Sequence, residues 1–362
     1  MNVGVLGGGQ LGRMLALAGR PLGLHFRFLE PARPAPVDGL GEVIRAPYDD
    51  PDALRRFARG LDLVTYEFEN VPAHTVRQLE TSLPVRPPSA VLRTAQDRVA
   101  EKEAFERLGV PTAAFHPVDS RSALKEAIEH VGLPAVLKTR RFGYDGKGQI
   151  VIDGPRQLDE AWAAFSGRQL VLEAFVSFTR ELSILGVRSP AGQIAFYPLV
   201  ETEHRRGILY STLAPAPLAG DGLETCARAH LRTVMEAFDY VGVLALELFQ
   251  REDELLANEM APRVHNSGHW TLDGACTSQF ENHLRAVVGL PLGSPEALGH
   301  TAMVNLIGRL PAIEAILEIP EAKLHLYGKE PRTGRKLGHV NIVAADPGSV
   351  RAALKRIEAL VA

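Results

Sequence analysis

Two glutamates, Glu247 and Glu259, stand twelve residues apart in the segment GVLALELFQREDELLANEMA. The segment predicts an antiparallel hairpin, and a turn centred on Asp253 sets the two glutamates opposite each other, with Cβ atoms about 5 Å apart. Their expected neighbours on that face are all apolar: Ala245, Phe249, Leu255 and Ala257. Facing carboxylates in such surroundings repel each other unless a cation lies between them. Oxygen ligands favour Mg²⁺, or alternatively Mn²⁺, and substrate phosphates would complete the coordination shell of the ion. The alternative is a solvated glutamate pair on a sheet edge.

A dense run of polar donors follows this hairpin in the stretch APRVHNSGHW, residues 261–270. The run has neither a helical nor a strand period, and its polar members are Arg263, His265, Asn266, Ser267 and His269. A loop of this kind beside a metal site is expected to bind substrate. Metal ligation by the two histidines is the alternative, which is disfavoured because the carboxylates already suit a hard ion.

A basic, glycine-rich segment lies earlier in the chain, in VLKTRRFGYDGKGQIVI, residues 136–152. Its cations are Lys138, Arg140, Arg141 and Lys147. It is not a Walker A loop, because that motif needs a glycine where position 141 has arginine and a Ser or Thr where position 148 has glycine. Glycines inside an antiparallel hairpin favour a flexible flap that closes over nucleotide phosphates. A solvated hairpin tip is the alternative.

The first glycine loop of the chain follows the first apolar run, in VGVLGGGQLGRM. Gly7, Gly9 and Gly12 satisfy G-x-G-x-x-G between a strand and a helix, an arrangement that presents backbone N–H groups to an anion. Glu30 closes the second strand, where a dinucleotide fold places its ribose-binding carboxylate. The βα pattern is nevertheless too short for a full dinucleotide domain. Another phosphate-bearing ligand is therefore favoured, while a nicotinamide or flavin site and a simple tight turn stay open.

The bulk composition is that of an ordinary globular protein, with 362 residues, 46% hydrophobic and 23% charged. The length indicates two or three domains. A net charge of −3 gives no bulk attraction to nucleic acid or to an anionic membrane, so neither is expected as a partner. Two cysteines cannot form a disulfide framework and fit a cytoplasmic location. Neither a signal peptide nor a membrane-spanning run is recognisable.

Alternating strands and helices up to about residue 86 predict a parallel sheet. The expected strands are 2–6, 24–30, 61–69 and 84–87, and the expected helices are 10–19, 50–60 and 71–81. The stretch RPPSA predicts a domain boundary, and a charged helix is expected at 89–108. Later strands and hairpins surround both chemical segments described above. The predicted domains are 1–90, 91–300 with a lid at about 113–177, and 301–362.

The order of basic glycine loop, acidic hinge and two late glutamates resembles the ATP-grasp superfamily. Within it, the chain is most similar to the carboxyaminoimidazole ribonucleotide synthases, also called phosphoribosylaminoimidazole carboxylase ATPase subunits. The similar stretches are GGGQLGRM (7–14), GYDGKGQ (143–149), NEMAPRVHNSGHW (258–270), SQFENHLRA (278–286) and GRKLGHVN (334–341). The resemblance implies an α/β (α+β) fold with a Rossmann-like parallel-sheet domain, a central ATP-grasp domain with a lid and an antiparallel sheet, and a small β-rich C-terminal domain.

The resemblance also implies an ATP site. Its residues would be Arg98, Lys138, Tyr144, Asp145, Gly146, Lys147, Gly148, Gln149, Glu173, Ala174, Phe175, Val176, Glu181, His204, Asn258 and Glu259. Within this set, Arg98 and Lys138 would contact phosphate, Glu173 and Val176 would read adenine, and Glu181 would bind ribose. Glu247 and Glu259 would hold Mg²⁺. Many ATP-grasp enzymes have Asn at the position of Ala261, so the third metal ligand stays open.

The family's ribonucleotide and catalytic residues carry over in the same way. Ribonucleotide-binding residues would be Gly8, Gln10, Leu11, Glu67, Asn266, Lys329, Arg335 and Lys336. Catalytic residues would be Tyr144, Lys147, Arg263, His265, Asn266 and Lys336. The basic turn YGKEPRTGRKLGH would clamp the ribonucleotide phosphate, with a solvated turn as the alternative. The first glycine loop would then face the ribonucleotide and not a dinucleotide.

The implied reaction is the ATP-dependent carboxylation of 5-aminoimidazole ribonucleotide with bicarbonate through carboxyphosphate, in purine (IMP) biosynthesis. Its products are carboxyaminoimidazole ribonucleotide, ADP and phosphate. The family's dimers imply a homodimer, and a downstream mutase is a further candidate partner. Three other activities stay open at this point: a nicotinamide oxidoreductase, a nucleotide sensor without turnover, and a formyltransferase that uses ATP with formate.

Overall fold

The computed structural model describes residues 1–143, 146–165, 167–217 and 220–361. Within these residues the strands form three sheets, and each sheet supplies one wall of a common cleft. No helix in the described part of the chain is long and apolar enough to cross a membrane.

The first sheet is parallel, with strand order β3-β2-β1-β4. Its strands are β1 Asn2–Leu6, β2 His25–Leu29, β3 Glu42–Ile44 and β4 Leu63–Tyr66, and its helices are α1 Gln10–Gly19, α2 Pro51–Ala58 and α3 Ala73–Glu80. The parallel sheet expected from the βα alternation is therefore confirmed. The predicted strand at 84–87 is wrong, because only a single bridge joins Val85 to Val64. Pro84 and Pro87 flank that bridge and cannot donate to a ladder.

The charged segment 89–108 forms two helices and not the single helix that was predicted. These helices are α4 Ser89–Ala95 and α5 Arg98–Arg107. Asp97 causes the break, because its backbone is extended and its carboxylate accepts from the N–H groups of Val99 and Ala100. An N-cap of this kind starts a new helix and fixes its direction. Helix α5 thereby points into the cleft.

The lid sheet is antiparallel, with strand order β5-β8-β6-β7. Its strands are β5 Phe115–Val118, β6 Ala135–Thr139, β7 Gln149–Ile152 and β8 Leu170–Ala174, and its helices are α6 Arg121–Val131 and α7 Leu158–Ala164. An apolar core that includes Leu124, Leu137 and Leu172 joins helices to sheet. The basic glycine segment connects β6 to β7, as the hairpin prediction required.

The largest sheet has the order β14-β13-β9-β11-β12-β15-β17-β16, with β10 beside β9. Its strands are β9 Arg180–Arg188, β10 Ile194–Phe196, β11 Val200–Arg205, β12 Ile208–Ala214, β13 Gly242–Arg251, β14 Glu254–Ala261, β15 His300–Ile307, β16 Ala322–Leu326 and β17 Lys336–Ala344. The later helices are α8 Asp221–Ala237, α9 Thr271–Gly274, α10 Gln279–Val288, α11 Ile313–Leu317 and α12 Pro347–Val361. Strand β15 pairs with β12, so the C-terminal strands extend the central sheet. The limits of the three predicted domains stay predictions.

The β13–β14 hairpin sets Glu247 opposite Glu259, as predicted. The strand register around this pair differs from the predicted one, because it shifts after Glu247 and Leu248 pairs with Ala257. Asn258 is thus the extra residue of a β-bulge. The bulge turns Leu255 and Ala257 to the opposite face, where both are buried in the core beneath α8. Their predicted place beside the glutamates is therefore wrong.

Candidate active site

A cleft of about 640 Å³ opens between the three sheets. It is lined by these predicted site residues: Gln10, Leu11, Glu67, Arg98, Lys138, Gly146, Lys147, Gln149, Glu173, Ala174, Phe175, Val176, Glu181, His204, Glu247, Asn258, Glu259, Arg263, His265, Asn266 and Lys336. The structure places four others outside this lining: Gly8, Gly148, Lys329 and Arg335. Tyr144 and Asp145 lie outside the described residues.

At the lid end, Glu173 on β8 is a buried carboxylate with two lysine partners. Lys138 Nζ lies 2.9 Å and Lys102 Nζ 3.2 Å from the same oxygen, Oε2. Burial raises the pKa of Glu173, but the two ammonium groups outweigh burial and lower it to about 2. Among the described residues, the other oxygen, Oε1, is buried without a hydrogen-bond partner. It is therefore an acceptor available to a bound group.

Apolar rings lie close to Glu173 in the cleft wall. Phe178 and Phe249 stack with centroids 4.9 Å apart and planes 10° apart, and Phe175 is half exposed at the cleft mouth. Beyond them, His204 Nδ1 lies 2.9 Å from Glu181 Oε2. Burial lowers the pKa of His204, but its hydrogen bond to Glu181 and the negative charges of Glu247, Glu181 and Glu259 together outweigh burial, so the net pKa is raised. This part of the cleft suits a flat apolar ring joined to a hydroxylated group.

The facing pair also lines the cleft, with side chains 16% exposed for Glu247 and 43% for Glu259. Burial and the charge of Glu259 raise the pKa of Glu247 to about 7. Arg98 Nη1 approaches Oε2 of the other glutamate, Glu259, at 3.5 Å. Glu247 is thus a carboxylate short of positive charge.

A magnesium ion fits this chemistry, because the two facing donors are both carboxylates and their repulsion is relieved by a cation. The described residues hold no group of three His, Cys, Asp or Glu side chains suited to a metal. Phosphate oxygens and water would have to complete the shell, as is usual for Mg²⁺ at nucleotides. The identity of a third protein ligand therefore stays open.

The loop after β14 brings its polar residues to the glutamates. Arg263 is buried and forms an ion pair with Glu69. His265 Nδ1 lies 2.8 Å from Ser267 Oγ and accepts from the N–H of Ser267 at 3.3 Å, which favours the neutral tautomer with its hydrogen on Nε2, 3.5 Å from Glu247 Oε1. Burial and then Arg263 hold the pKa of His265 well below its usual range. His265 is therefore a hydrogen-bond donor into the cleft.

The first glycine loop does not offer its N–H groups to a ligand. Gly8 donates to Glu30 at 2.7 Å, while Gly9 and Gly12 donate to Glu67 at 2.8 and 3.0 Å. A Cβ on Gly9 would lie 2.7 Å from Glu67 Oε1, so the carboxylate needs glycine there. The loop therefore binds anionic groups as expected, but these groups are the protein's own carboxylates, Glu30 and Glu67. Glu30 does not line the cleft, which removes its predicted ribose contact.

The basic turn 327–339 contributes Lys336 to the cleft lining. Lys329 Nζ instead contacts Gln10 Oε1, which links the turn to the start of α1. Arg335 Nη1 donates to Glu330 O at 3.1 Å. The turn therefore closes the N-terminal end of the cleft, with Lys336 as its innermost cation.

The flap is anchored by the arginines that were expected to contact phosphate. Arg140 forms a two-point ion pair with Asp97, with Nη2 at 2.8 Å, and Arg141 donates to Gln96 at 3.1 Å. At the flap's far end, Gly146 lies against the turn after β11, where an added Cβ would stand 2.8 Å from Gly207 Cα. Lys147 lines the cleft between these two anchors.

Sequence reasoning missed several residues at the site. Glu101 is buried, accepts from Met260 N–H at 2.8 Å, and has a pKa raised to about 8 by burial and Glu259. Lys102 beside it is 1% exposed. The spacing of Val99, Lys102 and Phe105 was an available signal, since residues three apart share a helix face. Glu69 carried no such signal, because it meets Arg263 only in three dimensions.

The parallel N-terminal sheet, the lid with its basic flap and the glutamate-lined cleft are those of an ATP-grasp protein. The ATP-grasp domain family matches residues 103–280, the ribonucleotide synthetase preATP-grasp domain matches 1–96, and the phosphoribosylaminoimidazole carboxylase C-terminal domain matches 301–353.

Individual relatives narrow the assignment. N5-carboxyaminoimidazole ribonucleotide synthase of Pseudomonas aeruginosa is 50% identical over 361 residues, covering 100% of this chain and 99% of that protein. The crystal structure of N5-carboxyaminoimidazole ribonucleotide synthetase from Thermus thermophilus gives a TM-score of 0.96 at 55% identity, covering 99% of this chain and 98% of that chain. The Aspergillus clavatus enzyme in complex with ADP and 5-aminoimidazole ribonucleotide gives a TM-score of 0.91 at 31% identity, covering 99% of this chain and 97% of that chain. The chain belongs to the N5-carboxyaminoimidazole ribonucleotide synthase family of ATP-grasp ligases.

Proposed function

We propose that this cleft carboxylates 5-aminoimidazole ribonucleotide with bicarbonate, using ATP, as its family does. The observation that carries the proposal is the contrast along the cleft between a cation-rich lid end and a cation-poor glutamate pair. The lid end, with Glu173, Lys138 and the stacked phenylalanines, suits a nucleotide. The pair Glu247 and Glu259 needs a metal, which phosphates would share.

In the proposed reaction, a bicarbonate oxygen takes the γ-phosphoryl group of ATP and ADP leaves. The amine nitrogen of the ribonucleotide then bonds to the carbon of carboxyphosphate, or of CO₂ released from it. Phosphate leaves, and the nitrogen loses a proton to give the carbamate. Magnesium, or manganese in its place, would neutralise charge on the phosphate oxygens when bound between Glu247 and Glu259.

The chain's own groups position the reactants and exclude water. Lys138 and Arg98 are placed to contact phosphate oxygens, and the flap carrying Lys147 would cover them. His265 and Arg263 line the cleft beside the glutamates, where bicarbonate oxygens would lie. The donor role of His265 follows from its tautomer, which leaves no basic nitrogen facing the reactants. Shielding by the flap would protect carboxyphosphate from hydrolysis.

The ribonucleotide is proposed to bind at the opposite end, against Gln10, Leu11, Glu67, Asn266 and Lys336. The complex of the Aspergillus clavatus relative with ADP and 5-aminoimidazole ribonucleotide supports this class of substrate. Asn266 is held by a reciprocal amide pair with Asn305, at 3.1 and 2.8 Å. Asn305 Nδ2 also donates to Leu209 O at 2.8 Å, which sets the orientation of both amides.

The test is ADP release measured with bicarbonate, formate or neither, each with and without 5-aminoimidazole ribonucleotide. The expected result is ADP and carboxylated product in a one-to-one ratio only when bicarbonate and the ribonucleotide are both present. Equal turnover with formate would indicate a formyltransferase, and ATP binding without turnover would indicate a sensor. Either outcome would replace the proposal.

The homodimer, a cytoplasmic location and delivery of the labile product to a downstream mutase complete the proposal. Both cysteines, Cys226 and Cys276, are unpaired, which is compatible with a reducing compartment. Sedimentation velocity of the purified chain tests the dimer. Product lifetime with and without the mutase tests the delivery.

A further inference from the structure

Lys102 is a buried charged residue that the proposed reaction does not use. Its side chain is 2% exposed, and its Nζ lies 3.0 Å from Thr112 Oγ1, 3.5 Å from Asn258 O and 3.2 Å from Glu173 Oε2. These partners belong to the chain entering the lid, to the β14 bulge and to lid strand β8. Lys102 therefore joins helix α5 to three segments that meet where the lid leaves the body.

The carboxylate oxygen that Lys102 contacts is shared with Lys138. Lys138 Nζ lies 2.9 Å from Glu173 Oε2, and Lys138 lines the cleft. Lys102 does not line the cleft, and it is buried among the protein groups named above. One of the two cations on Glu173 is thus within reach of a ligand, and the other is not.

The electrostatics favour release of the reachable cation. Burial lowers the pKa of Lys138, Glu173 raises it, and the like charges of Lys102 and Arg98 lower it further, with a net lowering. Two ammonium groups on one carboxylate oxygen leave an excess of positive charge. A phosphate group that drew Lys138 away would relieve this repulsion, and Glu173 would still be paired.

We propose that Lys102 is a positioning residue, a fixed counter-ion that keeps Glu173 paired so that Lys138 can leave it for a nucleotide phosphate. This inference rests on the proposed ATP site and extends it. Lys102 touches no reactant. Its effect passes through Glu173, whose orphan oxygen Oε1 also stays oriented as an acceptor while Lys138 moves.

Without Lys102, Lys138 would be the one remaining ammonium group on a buried carboxylate. Moving Lys138 to a phosphate would then leave Glu173 buried and unpaired, which is strongly unfavourable. Phosphate contact should therefore be lost, while contact with the base and ribose should be affected less.

The experiment measures the dissociation constants of ATP, ADP and adenosine by calorimetry for the full-length protein and its variants. Lys102→Met, which keeps the side-chain length without the charge, should weaken ATP and ADP about 30-fold or more, by the cost of unpairing a buried charge. Adenosine should weaken only a few-fold. Lys125→Met, at an exposed lysine of the same lid, should bind all three like the unmodified protein.

The double variant Lys102→Met/Glu173→Gln separates positioning from a general structural role. Removing the carboxylate charge frees Lys138, so the double variant should bind ATP about as tightly as Glu173→Gln alone. The double variant also removes the unbalanced buried charge, so it can be measured even if Lys102→Met alone does not fold. A double variant much weaker than Glu173→Gln overturns the inference.

Two other results would also overturn it. Lys102→Met that binds ATP like the unmodified protein, or that loses ATP and adenosine equally, rules out release of Lys138 as the mechanism. If the unmodified protein does not bind ATP at all, the proposed function fails together with this inference. The first two results leave the proposed function intact.

Discussion

Two carboxylate sites in one cleft have opposite electrostatic states. Glu173 has two ammonium groups within 3.2 Å, and its pKa falls to about 2. Glu247 faces Glu259, and its pKa rises to about 7. Burial acts in the same direction on both, so the charges of the neighbours decide the difference. The charge of the first site is balanced within the protein, whereas the charge of the second is balanced only by a ligand cation.

A third carboxylate shows another way to satisfy a buried charge. Glu67 accepts N–H groups from Gly9 and Gly12, and burial still raises its pKa in spite of these hydrogen bonds. Three glutamates of the same cleft are thus stabilised in three ways. Lysines pair with Glu173, backbone N–H groups donate to Glu67, and a proposed metal would bind Glu247. The following predictions test this division, from the largest expected effect to the smallest.

The largest effect is expected at the facing pair. Glu247→Gln or Glu259→Gln should lower ATP turnover by about 10²- to 10³-fold, as for the loss of one preorganised charge contact. Steady-state ADP release over a Mg²⁺ titration measures this. Glu254→Gln, at an exposed glutamate of the same hairpin, is the control. Unmodified turnover by both variants at limiting Mg²⁺ would show that the pair is not the metal site.

The next effect concerns the flap. Lys147→Ala should raise the ratio of phosphate released to carboxylated product about tenfold, the size expected for one charge-assisted hydrogen bond. The reason is that an open flap admits water to the activated intermediate. The ratio is measured with bicarbonate saturating, and Lys125→Ala serves as the control. A ratio that stays near one in a slow variant would mean that the flap only positions ATP.

A smaller effect is expected at the first glycine loop. Glu67→Gln replaces one acceptor oxygen by an amide that cannot accept from both Gly9 and Gly12. The free energy of unfolding should fall by about 1–3 kcal/mol, the cost of leaving a buried donor unsatisfied. Urea denaturation measures it, with the exposed Glu42→Gln for comparison. Unchanged stability would mean that the loop holds its shape without the carboxylate.

The smallest effect is a pH dependence outside the cleft. His283 accepts from Val243 N–H at 3.1 Å and lies 2.9 Å from Thr65, and burial lowers its pKa to about 3. Its neutral form is therefore the folded form. Its contribution is complete above the unfolded pKa of about 6.5 and is lost as pH falls from there towards 3, by up to about 1.4 kcal/mol per pH unit.

His283→Gln should reduce the loss of unfolding free energy between about pH 6.5 and about pH 5.5 by about 1 kcal/mol. Urea denaturation at the two pH values measures the difference. His74→Gln, at an exposed histidine, should leave the slope unchanged. An unchanged slope in His283→Gln would place the acid sensitivity at other buried histidines, such as His269 and His339, whose pKa values burial also lowers.

The sequence by itself determined the parallel N-terminal sheet and the two chemical segments of this protein. The period of two in 242–261 placed Glu247 opposite Glu259, and the pairing held because the bulge at Asn258 offsets a turn shorter than the expected one. The βα alternation gave the parallel sheet, and the glycines between two strands gave the flap. The family resemblance rested on motifs distributed over the whole chain, and the comparisons with known proteins confirmed it.

Only the tertiary structure decided which charges meet. Lys102 and Glu173 are distant in sequence, as are Glu67 and Gly12 or Arg263 and Glu69, and no local pattern pairs them. The bulge at Asn258 also escaped prediction, because one extra residue reverses the face of every residue between it and the turn. Pairing of distant charges depends on how sheets and helices pack, and that packing sets each pKa through burial and neighbours. Local periodicity therefore paired the two glutamates, and the family resemblance supplied most of the other expected site residues, while the fold assigned their charge states.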